Sequence, residues 1–268
     1  NGAAGRGGQI VTEANQGNSN ISGTVESNGA TQGGSILITA NNITLENSSK
    51  LTATGNNGGG SILVGGDWQG SGGVFQATTV TMNQGALIDA SALTNGNGGK
   101  VVLWSDVSNR NSITITSGAI FAKGGLLSGD GGKIETSGFR LSTNGMSGSA
   151  SAVNGNSGEW LLDPGSINVT SGYGDSLSSS SYSTSSDTNI LNTSIEAFLN
   201  AGTSVTLQAN DTLTLLAPIT KSAGGDATLT LKAMNSIATD GGLISSTQGR
   251  LNVVIWANLS GAGDRGVY

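Results

Sequence analysis

The stretch GGSILITANNITLENSSKLTAT, from Gly33 to Thr54, decides the fold. It contains three short pieces, Ser35–Ala40, Ile43–Glu46 and Lys50–Thr54, joined by residues rich in Asn and Ser. In each piece the apolar residues alternate: Ile36 with Ile38, Ile43 with Leu45, Leu51 with Ala53. A period of two sends successive side chains to opposite faces of a strand. Each piece is too short to stand as a stable hairpin, and the Asn-rich joints between them are turn chemistry. Three strands in so short a span need neighbours above and below to complete their hydrogen bonds.

Those neighbours are visible as repeats. A Gly-Gly pair followed by an apolar strand recurs at Gly7-Gly8, Gly33-Gly34, Gly59-Gly60, Gly98-Gly99 and Gly131-Gly132. The first apolar residues after the pairs are Ile10, Ile36, Ile62, Val101 and Ile134, with spacings of 26, 26, 39 and 33 residues. Periods in this range signal a repeat architecture. The 39-residue spacing reads as a 26-residue coil plus a 13-residue insertion, Gly65–Ala77, after which strands resume at Val80–Met82 and Ile88–Ala90. The next coil places Val101 and Leu103, Ile113 and Ile115, and Ile120 and Ala122 as its inward pairs. Gly is expected to supply positive φ and close approach at the corners. The fold class that follows is all-β, a right-handed parallel β-helix with three strands per coil, insertions at the corners and one short helix.

The organisation divides into three parts. Residues 1–170 form a block of coils of about 26 residues with insertions, closed by Glu159-Trp160-Leu161-Leu162-Asp163-Pro164 and Ile167–Thr170. Residues 171–203 carry a Ser-rich stretch, Ser176–Ser186, expected as an exposed loop, and then a helix. Thr193-Ser194-Ile195-Glu196 has the form of a capping box, Ile195, Phe198 and Leu199 make an apolar face, and Gly202 can end the helix. Residues 204–268 continue the stack with shorter coils, marked by Leu207, Leu231 and Val253 at spacings of 24 and 22.

Composition narrows the chemistry. The chain of 268 residues holds 45 Gly, only 2 Pro, 10% charged and 35% hydrophobic residues. It has neither Cys nor His, which excludes disulfides, thiolate and imidazole metal sites, and His-dependent triads. A net charge of −6 argues against nucleic acid and anionic membrane as partners. No apolar run approaches the length of a membrane-spanning helix, so no membrane insertion is expected. The first residues lack the basic and apolar regions of a signal peptide, and the chain starts in mid-pattern.

The candidate contact residues are aromatic. Trp68 and Phe75 lie in the insertion, and alternation from Val101 and Leu103 turns Trp104 outward. Two readings compete. The insertion folds over the face and packs near Trp104, or these rings form a contact surface for sugar rings or a receptor. Trp160 and Trp256 read as packing residues. Asp67, Asp89, Asp106 and Asp130 fall at different positions within their coils and do not read as a stacked carboxylate pair or a calcium site. No catalytic, cofactor or metal residue is assigned. Asn-x-Ser/Thr sequons at Asn20, Asn42, Asn47, Asn168, Asn192, Asn210 and Asn258 are no more frequent than this composition produces by chance.

One resemblance follows from the motifs. Gly98-Gly99-Lys100-Val101-Val102-Leu103-Trp104-Ser105-Asp106, Gly129-Asp130-Gly131-Gly132-Lys133-Ile134-Glu135-Thr136-Ser137-Gly138, Glu159–Pro164, Ile195–Leu207 and Ile219–Lys232 resemble the filamentous haemagglutinin and high-molecular-weight adhesin family of two-partner secretion exoproteins. The resemblance spans roughly Gly98–Ala257. It implies a secreted protein of the bacterial cell surface, exported through a dedicated outer-membrane transporter that acts on regions outside this segment. It further implies a shaft with an adhesive or matrix role and a glycan or host-surface receptor as partner. The competing expectations are a purely structural filament or biofilm-matrix protein and, less favoured, a polysaccharide-active β-helix enzyme.

Overall fold

The computed structural model describes residues 5–172, 187–261 and 267. Its spine is a nine-stranded, all-parallel sheet in chain order: Gln9–Glu13, Ser35–Thr39, Ser61–Val64, Lys100–Trp104, Lys133–Ser137, Glu159–Asp163, Ser204–Ala209, Ala227–Ala233 and Leu251–Trp256. Two further five-stranded sheets run beside it through the first coils, one from Asn18–Ile21 to Arg140–Ser142 and one from Thr24–Glu26 to Ser147–Ser149. Each of the first five coils thus lays one strand on each of three faces. This is a parallel β-helix, and its nine-strand face extends about 38 Å at ~4.8 Å per spacing.

The repeat markers stack in register. Ile10, Ile36, Ile62, Val101, Ile134 and Trp160 form one inward row, which continues through Val205, Leu229 and Val253. Leu207 pairs with Leu231 and Leu231 with Ile255, so both late spacings are 24 residues and Val253 belongs one step earlier in its strand. The lumen is filled by Ile, Leu, Val and Ala, with Ile36, Ile62 and Val101 at 1% exposure or less. The Gly-Gly pairs serve the stacking rather than the turn. None of Gly33, Gly34, Gly59, Gly60, Gly98 and Gly99 has positive φ. A Cβ on Gly59 would instead lie 1.8 Å from the Ala90 carbonyl oxygen, and one on Gly60 would lie 2.1 Å from that of Gly34. At this corner successive coils touch backbone to backbone.

Two local readings are corrected. In Ile113–Thr116 it is Thr114 and Thr116, not Ile113 and Ile115, that face inward. Thr114 pairs with Val80 and Leu141 and Thr116 with Met82, whereas Ile113 and Ile115 share the outward row of Thr79 and Thr81. The buried hydroxyls are satisfied: Thr114 Oγ1 donates to the Ser137 carbonyl (2.7 Å) and Thr116 Oγ1 to that of Ser142 (3.3 Å). Hydroxyl-bearing side chains are tolerated inside because the neighbouring coil offers carbonyls.

The second correction concerns the helix, Asn192–Asn200. Its N-cap is Leu191, with no side-chain capping bond, so no capping box forms. Glu196 reaches the next coil instead, where its Oε1 accepts the Thr220 amide (2.7 Å). The expected apolar face holds: Ile195, Phe198 and Leu199 are buried, and Gly202 leaves the helix at φ +74°.

This helix is part of the stack, not a break between blocks. Strand Asp187–Leu191 pairs in parallel with Ser166–Thr170 and lies against Arg140–Ser142. The helix then packs between Ser147–Ser149 and Ile219–Lys221, the place a third-face strand would take. A helix is thicker than a strand, and the lumen there holds larger side chains. Trp160 is fully buried and stacks on Phe198 with ring centroids 4.1 Å apart, its Nε1 donating to Thr136 Oγ1 (3.0 Å). The expected Ser176–Ser186 loop lies outside the described residues.

Candidate functional site

The insertion is the largest departure from the coil in the first block. Its ends belong to the coil itself: Gly65 donates to the Ile38 carbonyl, and Ala77 is fully buried and bridges Ser105. The projecting segment is therefore 66–76. It crosses the outside of the nine-stranded face as a strap and is held at several points. Asp67 Oδ1 bonds Lys100 Nζ (2.6 Å). The Gln69 amide donates to Glu135 Oε2 (2.9 Å), with Gln69 itself at φ +51°. Trp104 Nε1 donates to Gln76 Oε1 (2.9 Å).

The strap settles the positions of the three aromatic candidates. Trp104 points outward, as alternation requires, yet it is only 2% exposed because the strap lies over it. Gly66 and Gly70 sit directly on its ring; a Cβ on Gly66 would be 2.4 Å from Trp104 Cδ1. Trp104 is thus no surface contact residue while the strap is in place. Trp68 is half-buried and lies over Lys133, whose Nζ is 5.1 Å from the ring centroid, rather than over Trp104. Phe75 is 38% exposed. Trp256, expected to pack, is also exposed on the last strand, with Lys232 Nζ 5.1 Å from its ring.

The same face holds two acidic residues that the sequence reading passed over, of which Glu135 meets the strap. Glu135 and Asp163 occupy outward positions on adjacent strands but are 0% and 4% exposed. Burial pushes the Glu135 carboxyl up to about 8, and the nearby Asp163 and Asp67 carboxylates add to the rise. Hydrogen bonds from the Gln69 amide and Ser137 Oγ (2.9 Å) act the other way. Burial likewise raises Asp163 to about 7, against donors from Gln208 (2.9 Å) and Asn210 (3.1 Å) and the charge of Lys232. Raised carboxyls of this kind are the raw material of general acids. Here, however, Glu135 is sealed from solvent, and its oxygens are engaged by the strap and by Ser137. Its geometry is that of a latch for the insertion.

The other acidic candidates do not converge. Asp89 accepts the Ser91 amide, Asp106 the amide and hydroxyl of Ser108, and Asp130 the amide and side chain of Asn156. Among the described residues no group of three His, Cys, Asp or Glu side chains is placed to hold a metal ion. No described helix is long and apolar enough to cross a membrane.

No protein-family model matches this chain, and no curated protein matches it significantly.

Proposed function

We propose that the chain is a structural and adhesive segment of a large secreted bacterial cell-surface protein, attaching to host cells, other cells or matrix glycans. The observation that carries this reading is the arrangement of variation. The strands of the nine-stranded face stay in register through every coil, while the strap and the projecting loops change length from coil to coil at its edges. A scaffold of this kind displays surface without altering its core. The motif resemblance to the filamentous haemagglutinin and high-molecular-weight adhesin group supports the same reading and adds export through a dedicated outer-membrane transporter. The test is adhesion. Beads coated with the purified chain should bind cells or immobilised extracellular polysaccharide, and soluble chain should compete. Beads that bind neither surface would remove the adhesive role.

A second reading, a purely structural filament or matrix protein, has one observation in its favour. Strand Leu251–Trp256 ends the large sheet with Val253, Ile255 and Trp256 exposed, an edge onto which another coil can add. Light scattering across a concentration series separates this reading: self-association without adhesion favours the filament.

A further inference from the structure

The corner ahead of the nine-stranded face differs in length from coil to coil. Before Glu159–Asp163 the chain runs through a long corner, 150–158, from which Val153 stands 67% exposed. Before Ser204–Ala209 it turns directly out of the helix through Ala201, Gly202 and Thr203. Before Ala227–Ala233 the corner projects again, through 222–226. The short middle corner leaves a groove of about 630 Å³ between its neighbours, with Ser157, Gly202 and Thr228 along it, Asn156 on one wall and Asp226 and Arg250 on the other.

The walls are firmly built. Lys221 is fully buried, and its Nζ donates to the carbonyls of Ala223, Gly224 (3.1 Å) and Gln248 (2.8 Å). Asn200 Oδ1 accepts the Ser222 and Ala223 amides at 2.8 and 3.0 Å. These bonds fix the loop that carries Asp226. On the opposite wall the Asn156 amide and side chain are held by Asp130 Oδ1.

The shape restricts the occupant. Two coil spacings give a gap of about 10 Å, enough for one extended chain and too narrow for an α-helix of about 10–12 Å with its side chains. An extended peptide would bind such a surface by adding a strand to a free edge. Here strand Ser204–Ala209 is already paired on both sides, with Glu159–Asp163 and Ala227–Ala233. What the groove offers is side-chain chemistry: hydroxyls, amides and the planar groups of Asp226 and Arg250. A guanidinium carries five donors and a carboxylate accepts at two oxygens, which suits neighbouring hydroxyls on a ring. Val153 adds an apolar edge of the kind a sugar ring's C–H face can meet. Asp226 and Arg250 neutralise each other through a 2.6 Å ion pair and, among the described residues, are the only charged ones lining the groove.

We infer that this groove is a binding site for a linear, uncharged oligosaccharide, with Asn156, Asp226 and Arg250 as its contacts. The inference rests on the adhesive reading above and gives it a ligand class and a location. The experiment titrates the full chain by calorimetry with three neutral hexasaccharides, a β-1,4-glucan, a β-1,3-glucan and a β-1,4-mannan, and with hexagalacturonate as the charged comparison. At least one neutral sugar should bind, and both Arg250→Ala and Asn156→Leu should weaken it tenfold or more while Trp68→Ala leaves it unchanged. Circular dichroism on each variant confirms the fold. Binding that both groove variants leave intact would place the site elsewhere and overturn the inference, as would preference for hexagalacturonate. Failure of all three neutral sugars overturns it too. If coated beads still adhere to cells in that case, the adhesive reading survives without this groove.

Discussion

The latch at Glu135 makes a prediction about pH that runs opposite to ordinary acid denaturation. The Glu135 carboxyl titrates near 4.5 in an unfolded chain and at about 8 in the fold. Between these values the native state holds a proton that the unfolded state has released, so stability falls as pH rises. The contribution is fully present below about 4.5, declines through the window and is lost above about 8. The shift, 8 − 4.5, at about 1.4 kcal/mol per unit, sets the loss at ~5 kcal/mol. Asp163, raised from 3.8 to about 7, acts with the same sign over a window slightly lower. The perturbation is Glu135→Gln, which keeps an acceptor for the Gln69 amide, replaces the oxygen that accepts from Ser137 Oγ with an amide donor the rotatable hydroxyl can accept from, and cannot ionise. Urea unfolding is followed by tryptophan fluorescence and circular dichroism at pH 4.5, 6, 7 and 8.5. Wild type and variant should coincide at pH 4.5, and the variant should become the more stable by several kcal/mol at pH 8.5. Carboxylates that do not interact with Glu135 cancel in that difference. Curves that stay parallel across the window would refute a desolvated, proton-holding Glu135.

Three other outcomes follow. Ile62→Asp buries a charge in the lumen row and should cost several kcal/mol with local unfolding of its coil; an unchanged thermal midpoint would show the inward register to be wrong. Gly60→Ala should destabilise by more than ~1 kcal/mol through contact with the Gly34 carbonyl, whereas Gly73→Ala, where a Cβ meets nothing within 4 Å, loses only the ease of its positive φ; equal effects in chemical denaturation would remove the close-approach account. Excising 66–76 should leave the β-helix folded, raise apolar dye binding and shift Trp104 emission to the red; loss of the β-sheet circular dichroism signal would mean that the strap is part of the core.

The division between sequence and tertiary structure follows from what periodicity can carry. Strand count, stacking order and the inward rows of Ile36, Ile62 and Val101 were legible because alternation and repeat spacing are local properties of the chain. The place of the insertion was legible too, but not its length: the strand register puts 11 extra residues between Ser61–Val64 and Thr79–Met82 and the other two in the corner before Lys100–Trp104, and Gly65 and Ala77 belong to the coil. The reversed phase of Ile113–Thr116 was not, because Thr114 and Thr116 are inward only by virtue of the rows above and below them. Glu196 looked like half of a capping box, and only the packed coil supplied the Thr220 amide it accepts. Glu135 and Asp163 sit at positions that alternation assigns to solvent. Both are contacted from elsewhere in the stack, Glu135 by the strap and Asp163 by Gln208 and Asn210, long-range facts that no spacing encodes, and it is burial that moves their protons into the physiological range.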